Sequence, residues 1–364
     1  MSRIRTAALP SIRIAVLMAM WFSLFAYAGR PLLVAAHLAG VSRAAAWGGL
    51  FLVSLLPLLA LRRRPLPQFA GYATLGIFSM LLIVVLCSDV LRLSWWFARA
   101  SLDARTLTYG TLGAAALLSI VGLLQARCPG VKRVRIAIRD LPPELDGYTI
   151  AQWSDVHVGP TIQRRFVSRL VEQTNALHAD AIAITGDLID GPLAELREQV
   201  QPLRDLRAKD GVFYVTGNHE YYWRADDWIP ELERLGLTFL ENRHEVVRPG
   251  LVIAGVTDPV SHRSDAHAAL ANAPRDAVKV LLAHRPQAAE LASQLDVDLQ
   301  LSGHTHGGQF FPFNLLIRAF QPVVAGLHRI GKTWLYVSRG TGYWGPPSRL
   351  GVRGEITLLE LRTA

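Results

Sequence analysis

The stretch YTIAQWSDVHVG, residues 148–159, begins as a strand and ends as a polar, glycine-containing loop. Its apolar, β-branched start reads as a buried strand. Its Asp-Val-His turn puts two potential metal ligands directly beyond the strand end. The same rhythm recurs four times downstream. TGDLID (185–190) follows a strand expected over 181–185, and TGNHE (216–220) follows one over 212–216. LLAHRP (281–286) closes one over 278–283, and SGHTHGG (302–308) follows one over 299–302. Further strands are expected at 134–138, 251–256, 334–338 and 355–361. Helical periodicity occupies 162–179 and 193–207, with shorter helices at 227–235 and 287–294; Pro202 strains the second of these. Strands alternating with helices predict an α/β domain whose sheet faces are covered by helices and whose chemistry sits on loops beyond the strand ends.

The five clusters bring together Asp155, His157, Asp187, Asn218, His219, His284, His304 and His306, and so hold five of the chain's eleven histidines. Carboxylate, imidazole and one amide oxygen, with no thiolate, suit Mn, Fe, Zn or Co. Eight groups exceed the needs of one tetrahedral ion. They fit two divalent ions sharing a carboxylate, the arrangement that clamps the attacking and leaving oxygens in phosphoryl transfer. Asp-x-His and His-x-His are expected to place alternate residues on one side of an extended loop, facing one site.

Working outward to the N-terminus, the composition changes. Apolar runs at 12–28, 44–61, 69–91 and 107–126 approach the roughly 20 residues of a transmembrane helix. Residues 1–130 hold 12 Arg, no Lys and 2 Asp, a net +10, whereas residues 131–364 carry −1. The overall charge of +9 therefore reports membrane-flanking arginines, and no nucleic-acid partner is expected. With four spans, Arg3, Arg5 and Arg13, then Arg62, Arg63 and Arg64, then the basic residues at 127–139 share one side. Arg30, Arg43, Arg92, Arg99 and Arg105 lie on the other. Eleven basic residues against five put both termini, and the catalytic domain at 131–364, on the cytoplasmic face. A competing reading is a cleaved signal peptide, which fits the arginines before residue 14 and the small residues Ala26 and Ala28. Asp89, the one acid inside a run, is expected at the membrane interface, and the spans are expected to lack paired charges. Cys87 and Cys128 are the two cysteines, too few for a disulfide framework.

The ordered set D-x-H, G-D, G-N-H-[DE], H and G-H-x-H resembles the calcineurin-like metallophosphoesterase superfamily, over roughly residues 146–361. The resemblance implies a four-layer α/β (α+β) fold, a two-sheet β-sandwich flanked by helices, here preceded by a bundle of about four transmembrane helices at 1–130. It implies that Asp155, His157 and His306 bind a first metal, that Asn218, His284 and His304 bind a second, and that Asp187 bridges both. His219 is then the catalytic proton donor or charge stabiliser, and the nucleophile is a hydroxide shared by the two ions. GHTHGGQ and SRGTGYWG further resemble a membrane-anchored bacterial branch, which includes transmembrane proteins with a metallophosphoesterase domain and UDP-diacylglucosamine pyrophosphatases. The expectation is an inner-membrane phosphoesterase, with manganese among the candidate metals, acting on a lipid substrate of lipid A synthesis. A broad phosphodiesterase or phosphomonoesterase is the alternative enzyme, and a non-catalytic scaffold the alternative class.

Around the site, Tyr222, Arg224, His262 and Arg339 are substrate-binding candidates. The Tyr221–Arg224 stretch also reads as aromatics packed on the domain, and Arg339 as part of a structural turn. Glu220 reads either as a group that orients a histidine or as surface charge. The apolar residues 310–327 read either as core or as an interfacial element.

Overall fold

The computed structural model describes residues 5–37, 40–61, 65–98 and 103–364. Two compact units divide the chain, Met1–Val121 and Gly122–Ala364. The first is built on α1 (Arg5–Ala35), α2 (Gly40–Leu55), α3 (Pro65–Phe97) and most of α4 (Ala104–Arg127). Four helical stretches, Val16–Ala35, Gly40–Leu61, Leu66–Phe97 and Ala104–Arg127, are long and apolar enough to cross a membrane. The second ends in a 3₁₀ turn, Leu56–Leu61, at whose start Pro57 removes a helical donor. Many large apolar side chains here face outward, including Leu17, Leu52, Val90, Leu117 and Ile120. That surface suits lipid and would be unfavourable in water.

One expectation is corrected inside this unit. The expected lack of paired charges in the spans does not hold at Asp89. Its carboxylate accepts from the Tyr27 hydroxyl and pairs with Arg30, so α1 and α3 do carry a paired charge. The sequence reading missed the pair because it put Arg30 in a loop, whereas α1 continues to Ala35. Arg3, Arg62, Arg63, Arg64 and Arg99 lie outside the described residues.

The second unit is a four-layer sandwich. One six-stranded sheet has the order β1 (Gly130–Ile138), β12 (Glu355–Thr363), β2 (Thr149–Trp153), β3 (Ala181–Thr185), β4 (Val212–Val215), β5 (Thr238–Phe239). The other has the order β10 (Gly326–Ile330), β11 (Thr333–Val337), β9 (Leu299–Ser302), β8 (Val278–Leu282), β7 (Leu251–Gly255), β6 (Arg243–Arg248). Their inner faces meet in a core that includes Ile136, Ile150, Ala183, Ile253, Leu282, Leu301 and Tyr336. On the outer face of the first sheet pack α5 (Arg164–Asn175), α6 (Leu193–Val200) and α8 (Ala225–Arg234), which bury Phe166, Leu196 and Trp228 against Trp153 and Ile184. On the outer face of the second lie α9 (Ala266–Leu270) and α10 (Ala289–Gln294), which cover Ala254 and Leu281. Two short helices remain, α7 (Asn218–Tyr222) and α11 (Phe313–Leu316).

Each of the nine expected strands is present, and three more accompany them. The helical pattern at 193–207 divides at Pro202, with α6 giving way to a 3₁₀ segment at Gln201–Asp205. β2, β3 and β4 run parallel, as do β7, β8, β9 and β11. Their C-terminal ends therefore open along one edge of the sandwich. The five polar clusters leave from that edge.

Candidate metal centre

The residues singled out in the clusters converge. Three overlapping groups form, Asp155–His157–His306, His157–Asp187–His219 and Asp187–His284–His304, and within each group the ligand-type atoms all lie within 4.8 Å of one another. Asp187 joins the second group to the third, and His157 joins the first to the second. The first sheet contributes Asp155, His157 and Asp187 from the loops after β2 and β3. The second contributes His284, His304 and His306 from the loops after β8 and β9.

The convergence is not made by extended loops, as the Asp-x-His spacing suggested. Asp155, His157, Asp187, His304 and His306 all have φ between 51° and 72°. Left-handed backbone at non-glycine residues is uncommon and concentrates at functional sites. Each such residue turns its strand end sharply, so that side chains two apart reach one point. The space for this comes from glycine. A Cβ on Gly217 would collide with the Asp187 carboxylate, and one on Gly303 with Ser154 and Asp155.

Hydrogen bonds stitch the loops across the seam between the sheets. The His304 amide donates to both oxygens of Asp155 at 3.0 Å. His284 Nδ1 lies 2.8 Å from the Thr185 carbonyl, which can only accept; this places the proton on Nδ1 and leaves Nε2 facing Asp187 at 3.3 Å. Gln152 donates to Thr185 and to the Ser302 carbonyl.

The electrostatics are those of a site made for cations. Burial would raise the Asp187 carboxyl, but the His284 imidazole beside it, with His157 and His219, holds it well below the ordinary carboxylate range. Burial would lower His284, yet the Asp187 carboxylate pushes it up to about 10. Burial brings His157 down to about 3, so its ring is neutral and able to ligate. Asn218 Oδ1 is buried with no hydrogen-bond partner, an acceptor in want of a donor or a cation. Carboxylate, neutral imidazole and an orphaned amide oxygen together fit a pair of divalent metal ions of the borderline class.

His219 is held differently. Its Nδ1 lies 3.0 Å from Asp190, which also accepts from Trp223 Nε1 at 2.9 Å. Burial opposes the charge on His219, but Asp190, Asp187 and Glu220 together hold its pKa above the ordinary histidine value. Asp190 is one residue of the site that sequence reasoning passed over. It stands last in TGDLID, but its partner lies 29 residues further on.

Glu220 fits neither of its two expected roles. It is fully buried, and its carboxylate accepts from the amides of Gly217, Asp187, Leu188 and Ile189. It thus ties the GNHE turn to the loop carrying Asp187 and orients backbone. Burial and the Asp187 charge push its carboxyl up to about 7 against the pull of these amides. Arg349, which no motif pointed to, is also fully buried. It donates to the carbonyls of His306, Arg339 and Gly342, fixing the GHTHGG loop to the SRGTG turn.

The substrate candidates divide. The Tyr222 ring is exposed and 5.3 Å from His219, at the mouth. Trp344, which was not a candidate, lies 5.7 Å from the same ring. The stem of Arg339 lies over Gly307, beside His306. Arg224 instead pairs with Asp227 on the outside of α8, which explains its lack of any bond to the cluster. His262 caps an exposed 3₁₀ turn and is likewise not brought into the cluster.

With this geometry in place, the comparisons with known proteins agree. The family model for calcineurin-like phosphoesterases matches residues 148–308, which include every residue of the three groups. The chain is 34% identical over 320 residues to the transmembrane protein with metallophosphoesterase domain of Danio rerio, covering 81% of this chain and 73% of that protein. It is 39% identical over 269 residues to the protein of the same name in Bos taurus, covering 68% and 61%. It is 38% identical over 240 residues to an uncharacterized metallophosphoesterase of Helicobacter pylori, covering 64% of each. The chain belongs to the calcineurin-like metallophosphoesterase family, whose members are metal-dependent phosphoesterases. The Danio rerio match covers more of the chain than the second unit can supply, so it extends into the apolar helices. Those helices and the names of the two vertebrate relatives mark a membrane protein. The chain spans 61% of the bovine relative's length.

Replacing Glu220 tests the clamp. Glu220→Gln turns one acceptor into a donor facing amide N–H groups and should destabilise the second unit by about 2–3 kcal/mol. Chemical denaturation of the detergent-solubilised chain, followed by tryptophan fluorescence, should show this, together with weakened metal retention. Wild-type stability would mean that the amides have other partners.

Proposed function

We propose that this chain is a membrane-anchored phosphoesterase working with two divalent cations, residues 1–130 forming the anchor and 131–364 the catalytic domain. The observation that carries the reading is the chain of three overlapping Asp/His groups, joined to one another through His157 and Asp187. Asp155, His157 and His306 would hold one cation, Asn218, His284 and His304 the other, and Asp187 both. Bound there, the cations supply Lewis acidity and an activated water for attack on phosphorus. The protein supplies the rest. Asp190 fixes the tautomer and direction of His219, whose Nε2 faces the cluster 4.0 Å from Asp187. From there His219 gives a proton to the leaving oxygen or balances its charge. Tyr222, Trp344 and Arg339 surround the mouth and would orient the substrate.

For the substrate, a lipid-linked phosphoester or pyrophosphate is favoured, because a membrane anchor has an evident use when the substrate is itself held in a bilayer. UDP-diacylglucosamine, a precursor of lipid A, is the specific candidate. The second reading is a broad phosphodiesterase or phosphomonoesterase that the anchor merely localises. A non-catalytic scaffold is disfavoured by the presence of every ligand-type residue and of His219. Manganese is one of four candidate metals. The arginine distribution favours the cytoplasmic face, which in a bacterium is that of the inner membrane.

Three measurements test this. Asp187→Asn should lose both metals, whereas His219→Ala should keep them and lose turnover by roughly 100-fold or more. Metal loss from His219→Ala would make it a ligand, and full metal in Asp187→Asn would remove its bridging role. Purified protein should release UMP from UDP-diacylglucosamine faster than it cleaves an aryl phosphodiester; the reverse order favours the broad enzyme. A C-terminal alkaline phosphatase fusion should be inactive. Activity would put the domain outside, as a cleaved first segment predicts.

A further inference from the structure

Residues 299–354 contain no Asp or Glu and six Lys or Arg, in a C-terminal part that is otherwise acidic. Five of the six are exposed, Arg349 being the buried one. The same stretch carries the largest run of exposed apolar side chains in the second unit. Phe311, Phe313, Leu315, Leu316 and Phe320 are all open to solvent, Leu316 at 56% and Phe320 at 82%. Of the two expectations for residues 310–327, core burial therefore holds for Phe310 alone of the phenylalanines.

This surface is rooted in the metal centre. It leaves the GHTHGG loop three residues after His306. The backbone of Asn314 in α11 lies against Gly308, whose left-handed φ of 77° brings the two segments together. Phe310 is buried beneath, its ring edge-on to Phe313 at 5.1 Å. Gln309 bonds to both the amide and the carbonyl of Trp344, the residue whose ring flanks His219. The apolar surface and the mouth of the site are thus parts of one rigid edge.

Contiguous exposed apolar side chains of this kind mark an interaction surface. Three features fit a bilayer. The residues are aromatic and leucine, the composition of elements that sit at the headgroup–acyl boundary. The one charge within residues 311–320, Arg318, is positive and exposed, as anionic lipid requires. The chain also carries four helices long and apolar enough to cross a membrane, and only residues 128 and 129 separate α4 from β1. We propose that residues 311–320 insert into an anionic lipid surface, that of the bilayer holding the chain's helices, and so set the mouth of the metal centre at the lipid–water boundary. This proposal depends on no choice of substrate.

The test uses the full chain with Cys87→Ser and Cys128→Ser, reconstituted in nanodiscs of phosphatidylcholine and phosphatidylglycerol. Single cysteines are introduced by Leu316→Cys, Phe320→Cys or, as a control on exposed β6, Val246→Cys, and labelled with bimane. Doxyl-labelled lipid should quench the labels at 316 and 320 about threefold or more above the control, and removing phosphatidylglycerol should reduce that difference. Quenching no greater than at 246 would overturn the proposal. So would labels shielded from aqueous iodide but untouched by doxyl lipid, with disulfide cross-linking between copies at 320; that result would assign the surface to a second copy of the chain.

Discussion

A carboxylate buried without compensation costs several kcal/mol, and Asp187 is buried where both sheets end. Much of the second unit is arranged around that constraint. The first sheet brings Asp187 to the edge on a left-handed residue. The second brings His284 to 3.3 Å from it. Glu220 adds a further buried carboxyl, charged in part near neutral pH and bonded to four amides. Protons on the surrounding imidazoles can offset these charges, and His284 has its pKa raised accordingly. Divalent cations offset them better, because they bind neutral imidazoles and carboxylates at once. The same charge balance that makes the fold tolerable therefore suits the site to cations.

The two sheets have to be locked in register for this to work. A triad assembled from opposite sheets loses its geometry if one sheet slides. Asp155 accepting the His304 amide, His284 bonding to Thr185, and Gln152 reaching Ser302 all cross the seam. Arg349 secures the last loop through three carbonyls. Being fully buried, it adds a positive charge near Asp155, and burial lowers its pKa to about 10. Ligand geometry thus rests on residues that bear no ligand atoms themselves.

What the sequence made legible follows from where interactions are local. β2, β3, β8 and β9 are buried on both faces, so their short apolar runs stand out. β6 (RHEVVR) and β10 (GLHRI) are edge strands, half-exposed and partly charged, and their pattern resembles that of loops. β5 is two residues long and depends on its neighbour β4. In the site, ligand types were visible because metal chemistry restricts them to a few residues. Asp190, Arg349 and Trp344 were not, because their roles are defined by partners 29 to 125 positions away. The Arg30–Asp89 pair in the first unit escaped for the same reason, its partners being 59 residues apart.

The charge asymmetry joins these observations. Arginines crowd the apolar helices, acids are spread through the early catalytic part, and residues 299–354 return to pure positive charge. A soluble phosphoesterase needs positive potential at its mouth for an anionic substrate, and divalent cations held by the cluster would provide that. Exposed phenylalanines beside that positive stretch serve no such purpose; in water they are a liability for association. They become favourable only where an apolar phase lies within reach, and a membrane protein with four helices long and apolar enough to cross a bilayer has one. An enzyme held this way would meet any lipid-linked substrate by lateral diffusion within the bilayer. Its selectivity would then depend on how deep in the headgroup layer a phosphoryl group lies, as well as on the shape of the pocket.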